Sequence, residues 1–295
     1  MIDDEFSVYT TLANDTDDQR WAFGTGFVDS LSGTDMPVPA GVDGSALARY
    51  SLMLGDDAVV YSHRLQQWVT RAPELEEETA LANIALDLLG QARMLFSRAG
   101  AADGSARTED DYAFFRTENE FRNVRLVEHA DADFAELVAR LLVFATWRLA
   151  LFTALTTSKD PVLAAIAAKG APELTYHRDY AAQWVVRLGD GTDLSHGKMQ
   201  AGIDVVWPLL DELFDPHPVE ASLPEIAVAG RAVRGEVDEV LGAVLAAAHL
   251  RRPDVVVPLA RLGGRAGRDG AHTEALGYLL AEMQSVARAH PGASW

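Results

Sequence analysis

The 295-residue chain contains no cysteine. That absence removes disulfides, thiolate nucleophiles, cysteine-ligated zinc and iron–sulfur clusters, leaving histidine and carboxylate side chains as the metal ligands on offer. Basic residues are few, 25 against 44 acidic for a formal net charge of -19, which opposes general attraction to nucleic acid or anionic lipid. Only a local basic patch could still hold a phosphate. The opening MIDDEFSVYT lacks a basic region followed by an apolar run, and the most apolar later stretch, LLVFATWRLALF, carries Arg148. Neither a signal peptide nor a membrane span is expected, so the cytoplasm is the default location. Also missing are any sustained strand-like alternation, an internal repeat and a GxSxG elbow.

What is present is helical. At 48% hydrophobic the chain can bury a substantial core, and its length allows one large domain or two small ones. Residues 74–98 organise the rest: Leu81, Ile84, Ala85, Leu88, Ala92 and Leu95 recur at helical spacing, with Glu74, Glu76, Glu77 and Glu78 crowding the first turn where the helix dipole favours them. Asn83, Asp87 and Gln91 step by four beside that stripe. A carboxylate turned toward a bundle core needs a metal, a cation or several donors. Before this helix the pattern predicts another over 46–68, joined to it by a short turn at 70–73. After it come a shorter helix within 111–129, a long one over 134–157, and one over 161–188 started by Asp160 and Pro161 and kinked or broken near Gly170 and Pro172. Further helices are expected over 196–214 with an interruption at Pro208, over 230–249, and from Thr273 to about 289. Ser222 and Glu225 read as a capping box. Residues 1–43, rich in Asp, Gly, Thr, Ser and Pro, read as an extended N-terminal arm whose Trp21, Phe23 and Phe27 either anchor on another surface or pack on this chain's own bundle, ahead of a helical domain over 44–295. The fold class is all-α, a helical bundle with accessory helices.

A bundle of this kind can house a di-iron centre built from a Glu on each of two helices and a Glu-x-x-His pair on each of two others. The residues do not supply that set. Asp87 is followed three positions later by Gly90, and His177 is preceded three positions earlier by Leu174, while the first and third long helices turn Ala58 and Ala145 inward. Asp87 is therefore read as a structural ion pair or hydrogen-bond hub, with His177, Arg148 and Arg64 as candidate partners. His177 is read as a core or interface histidine. The loop RLGGRAGRDG offers Arg261, Arg265 and Arg268 to an anion, although no GK[ST] follows to make it a Walker loop. Glu128 and His129, adjacent in sequence, are assigned nothing.

The segments ALANIALDLLGQAR at 80–93, FRTENEFRNVRLVEH after it, ALFTALTTSKDPVLAAIAAKG at 150–170, RLGDGTDLSHGKMQ at 187–200 and the closing GAHTEALGYLLAEMQSVARAHPGASW resemble, in colinear order over about 48–295, the C-subunit family of bacterial phenylacetyl-CoA epoxidases. The resemblance implies a ferritin-like fold and membership of a cytoplasmic monooxygenase complex of phenylacetate catabolism. In that family the catalytic A subunit holds the di-iron centre and epoxidises the ring of the CoA thioester, a separate reductase delivers electrons from NADPH, and the C subunit is the structural partner. The implied ligand positions here are Ala58, Asp87, Gly90, Ala145, Leu174 and His177, a degenerate set with no cofactor in this chain. Other subunits of the complex are implied partners, with acyl-CoA at the interface reached by the arginine loop. The alternative is an oxygenase subunit with its own di-iron site.

Overall fold

The computed structural model describes residues 37–105, 107–254 and 265–293. Most of the arm, with Trp21, Phe23 and Phe27, and Arg261 of the loop lie outside the described residues. Helix α1 is Gly44–Gln66, α2 Leu75–Ala102, α3 Glu109–Phe114, α4 Phe134–Leu155, α5 Pro161–Gly189, α6 Asp193–Val206, α7 Pro218–Ser222, α8 Arg234–Ala247 and α9 Glu274–Ala289. No strand occurs among the described residues.

Local chemistry sets most of these ends. Asp43 accepts from the Ser45 amide to start α1, Asp133 from Glu136 to start α4, and Asp160, followed by Pro161, from Leu163 to start α5. Thr192 and Ser195 form a reciprocal box at α6.

Four helices form the core. Helix α1 packs on α2 and α4 on α5, and α2 also meets α5. The contacts give the directions. Ser62 on α1 bonds to Ala85 of α2, and Gly55 faces Phe96. Phe152 faces Gly170 while Phe134 meets Trp184 edge-on at 5.0 Å. Tyr61 meets Phe144 at 4.6 Å while Leu54 accepts from Arg148, and Asp87 meets His177 while Gln91 meets Glu173. In each pair one number rises as the other falls, so every adjacent pair around the ring α1–α2–α5–α4 is antiparallel. The stripes that meet there, Leu47, Leu54, Tyr61 and Leu65 with Leu81, Ile84, Leu88 and Leu95, are buried. Each such side chain contributes about 1.5–3 kcal/mol through removal from water. Helix α4 is apolar and long enough to cross a membrane, but it is the central, mostly buried helix of this bundle.

This ring demands a long crossover. Helices α2 and α4 run the same way, so the chain leaving α2 must return along the bundle before α4 can begin. Residues 107–128 make that climb along α1. Arg107 lies at Gly100, Arg116 and the Arg122 amide bond to Asp56, the Val124 amide bonds to Asp57, and the Glu128 carbonyl accepts from Arg64. The expected helix within 111–129 is accordingly only α3 and two short 3-10 turns, Glu118–Glu120 and Arg125–Val127. Between the turns, the Arg122 and Val124 amides go to the α1 carboxylates and the Arg125 amide to Glu212 instead of continuing a helical ladder.

Other local expectations shift for similar reasons. Helix α5 is continuous through Pro172, which sits on its exposed face where water can take the freed carbonyl. Gly170 is buried, and a Cβ there would stand 2.9 Å from the Phe152 ring, so that glycine serves close packing. Pro208 lies in a 3-10 segment, Trp207–Phe214, after α6. The segment after it is capped by His217. Glu225, expected in a capping box, instead has a φ of 62°. Thr273 does precede α9, but its hydroxyl goes to Glu128.

Candidate functional site

The polar line on α2 turns inward along the helix. Four-residue steps on a helix of 3.6 residues per turn drift by about 40° each. Asn83 is exposed, Asp87 half-buried and Gln91 fully buried. Each of the latter two meets α5. The Asp87 carboxylate lies 3.0 Å from Nε2 of His177, a side chain only 1% exposed. Of the three candidate partners, His177 is thus the one that bonds to Asp87. Arg64 is engaged elsewhere, with the Glu128 and Ala275 carbonyls and Gln67.

Arg148 is one turn inward on α4. Its Nε donates to Gln91 Oε1 at 2.9 Å, another nitrogen donates to the Leu54 carbonyl of α1 at 3.2 Å, and its plane lies over Phe152 at 4.4 Å. Gln91 passes the chain on, donating through Nε2 to Glu173 of α5 at 2.9 Å. Three core helices therefore meet at one guanidinium, and Gln91 ties the fourth, α5, to it. Burial pushes Arg148 down to about 10, against the pull of Asp57, so it remains a cation at neutral pH. Burial likewise raises Glu173, aided by the charge of Asp87 and opposed by the Gln91 bond.

The six positions implied by the resemblance fall on these same helices. Ala58 on α1, Ala145 on α4 and Leu174 on α5 are completely buried and offer no donor. Gly90 on α2 has none either, and a side chain there would meet nothing within 4 Å. Asp87 and His177 are brought together but bond to each other. This donor set does not fit a dinuclear iron centre, which takes about six protein ligands. A fixed guanidinium between the same helices adds repulsion for any dication.

The arginine loop separates by residue. Arg268 is only 12% exposed, and its guanidinium forks onto Asp57 at 2.7 and 3.0 Å while donating to the Met53 and Arg122 carbonyls. It is spent inside the fold. Arg265 is exposed, bonding to the Asp269 carbonyl, and is the residue of the three whose described side chain faces solvent.

Several buried acids went unread in the sequence. Asp56 and Asp57, adjacent on α1, are both completely buried, paired with Arg116 and Arg268. Glu128 accepts from Asn123, the Thr273 amide and the Thr273 hydroxyl, and lies 2.6 Å from His272. Glu212 takes the Arg125 and Gly267 amides. The doublet of aspartates inside the apolar stripe of α1 was the available signal.

Comparison with known proteins now decides the family. A family model described as "Phenylacetic acid catabolic protein" matches residues 37–295. The chain belongs to that family. Among curated proteins, it is 44% identical over 251 residues to the C subunit of 1,2-phenylacetyl-CoA epoxidase of Escherichia coli (strain K12), covering 84% of this chain and 99% of the relative. The matched stretch of the family takes in the four core helices, the crossover and the ion pairs that hold them. The polar contacts at the centre of the bundle thus belong to the family domain.

Proposed function

We propose that this chain is the non-catalytic structural subunit of a multicomponent phenylacetyl-CoA 1,2-epoxidase of aerobic phenylacetate catabolism, working in the cytoplasm. The observation that carries the reading is the 44% identity along 99% of a protein named as the C subunit of that enzyme. Its bundle is of the ferritin-like kind, and its role is to support a catalytic A-type partner that holds the di-iron centre and receives electrons from a reductase. The donor-poor positions Ala58, Gly90, Ala145 and Leu174 support it, because a bundle that closes its centre with Arg148, Gln91 and Glu173 gains rigidity where an oxygenase would need an open metal site. Asp87 and His177 are then a structural pair. Arg265 is the residue through which this chain would reach the phosphates of acyl-CoA at the interface between subunits.

The test is co-expression with the A-type subunit from the same source, purification through a tag on this chain alone, and measurement of mass and iron. A stable complex whose iron follows the amount of A-type subunit is expected. About two irons on this chain alone, lost in Asp87→Ala and His177→Ala, would replace the proposal with an oxygenase subunit that has its own centre.

A further inference from the structure

Away from the centre of the bundle, the turn that ends the crossover gathers three ligating side chains. His129 and Asp131 lie in the turn, and Glu136 is in the first turn of α4. One ligand atom from each lies within 4.8 Å of the other two, and His129 Nε2 is in direct contact with Glu136 Oε1. The carboxylate of Asp131 is the most telling member. One oxygen pairs with buried Arg140, while the other, Oδ1, is buried and has no hydrogen-bond partner. A buried carboxylate oxygen calls for a donor or a cation.

The supports are rigid. Asp133 caps α4 by accepting from the Glu136 amide at 3.1 Å, and α6 closes on the same point, since a Cβ on Gly202 would stand 3.0 Å from the Glu136 backbone. Arg140, one turn further along α4, fixes Asp131. Lys198 of α6 faces Asp133, not the three ligands. His129 is 31% exposed on its side chain, so an ion has an entry path from solvent and room for water to complete its shell.

We propose that His129, Asp131 and Glu136 bind a single divalent transition-metal ion of the zinc or manganese class, one that pins the crossover to the start of α4. One imidazole nitrogen and two carboxylate oxygens suit these ions, at ligand distances of about 2.0–2.2 Å. The ion adds two positive charges to a site whose two carboxylates are offset by one guanidinium. It stands apart from the Asp87 and His177 pair and takes no part in oxygen chemistry.

The test uses the full chain, stripped with a chelator and titrated with zinc chloride by calorimetry, with cobalt(II) absorption as a second reading. One zinc per chain, a raised melting temperature, and affinity reduced about 10-fold or more in His129→Ala and Glu136→Gln are expected. Asp131→Asn would strand Arg140 and disturb the fold itself, so the other two variants carry the result. No zinc bound below about 0.1 mM, as for a metal-free His129–Glu136 ion pair, overturns the proposal, and so does binding unchanged in both variants. Iron in the co-expressed complex reads the structural role independently, so the two readings can fail separately.

Discussion

Replacing Arg268 with alanine removes two bonds to Asp57 and one each to the Met53 and Arg122 carbonyls. Asp57, completely buried, keeps the Val124 amide at 2.9 Å. Breaking one side of a buried pair costs about 3–5 kcal/mol, because the remaining charge is stranded. That is a large share of the roughly 5–15 kcal/mol by which a domain is stable, and it translates to a melting temperature lower by roughly 6–20 °C. The loss depends on pH. Burial already raises the Asp57 pKa, with Arg268 the main opposing influence. Without Arg268 the folded-state value rises further, so the folded variant holds a proton that the unfolded chain releases. The deficit is therefore greatest above the variant's folded-state value and shrinks as pH falls from there toward the parent's own raised value. Urea unfolding at pH 5.5 and 7.5 measures it, with Arg265→Ala, expected within about 0.5 kcal/mol of the parent, as the exposed control. A loss below about 1 kcal/mol for Arg268→Ala, or one equal at both pH values, would refute the reasoning. The result also decides which arginine can be used to ask about acyl-CoA: a KM change in Arg265→Ala reports on binding, whereas one in Arg268→Ala reports on the fold.

Asp87→Ala leaves buried His177 without its carboxylate, but Asp87 is 37% exposed, so a loss of about 1–2 kcal/mol in urea unfolding is expected, and one above about 4 would contradict the half-buried geometry. Burial lifts Glu212 to about 7 against the pull of the Arg125 and Gly267 amides. Its folded form keeps a proton between about pH 4.5 and 7 that the unfolded chain gives up, so stability from this group falls across that window, by at most about 3 kcal/mol. Glu212→Gln should flatten that part of the stability curve, and an unchanged slope assigns it to another group. Gly267→Ala would place a Cβ 2.1 Å from the Asn123 carbonyl and should lower stability by about 2–3 kcal/mol, detectable as a shift in the urea midpoint without a change in slope. A midpoint within error of the parent would mean that this close approach is easily relaxed.

The long helices were legible because their signal is local. The stripe from Leu81 to Leu95, the Asp160–Pro161 start and the absence of strand alternation each follow from residues a few positions apart. Partner choice was not local. Asp87 had three candidate cations, and only the antiparallel packing of α2 on α5 selected His177, at a sequence separation of 90. Arg265 and Arg268 stand three residues apart in one glycine-rich stretch, yet one faces solvent and the other is sealed against α1. Residues 111–129 read as a helix because their composition allows one. The parallel course of α2 and α4 requires a returning strap there, and the buried aspartates of α1 take its Arg122 and Val124 amides. By itself, then, the sequence determined where the long core helices run and that the fold is all-α. The tertiary structure alone decided where each charge ends, because the cost of burying an ion depends on neighbours that only the packed bundle supplies.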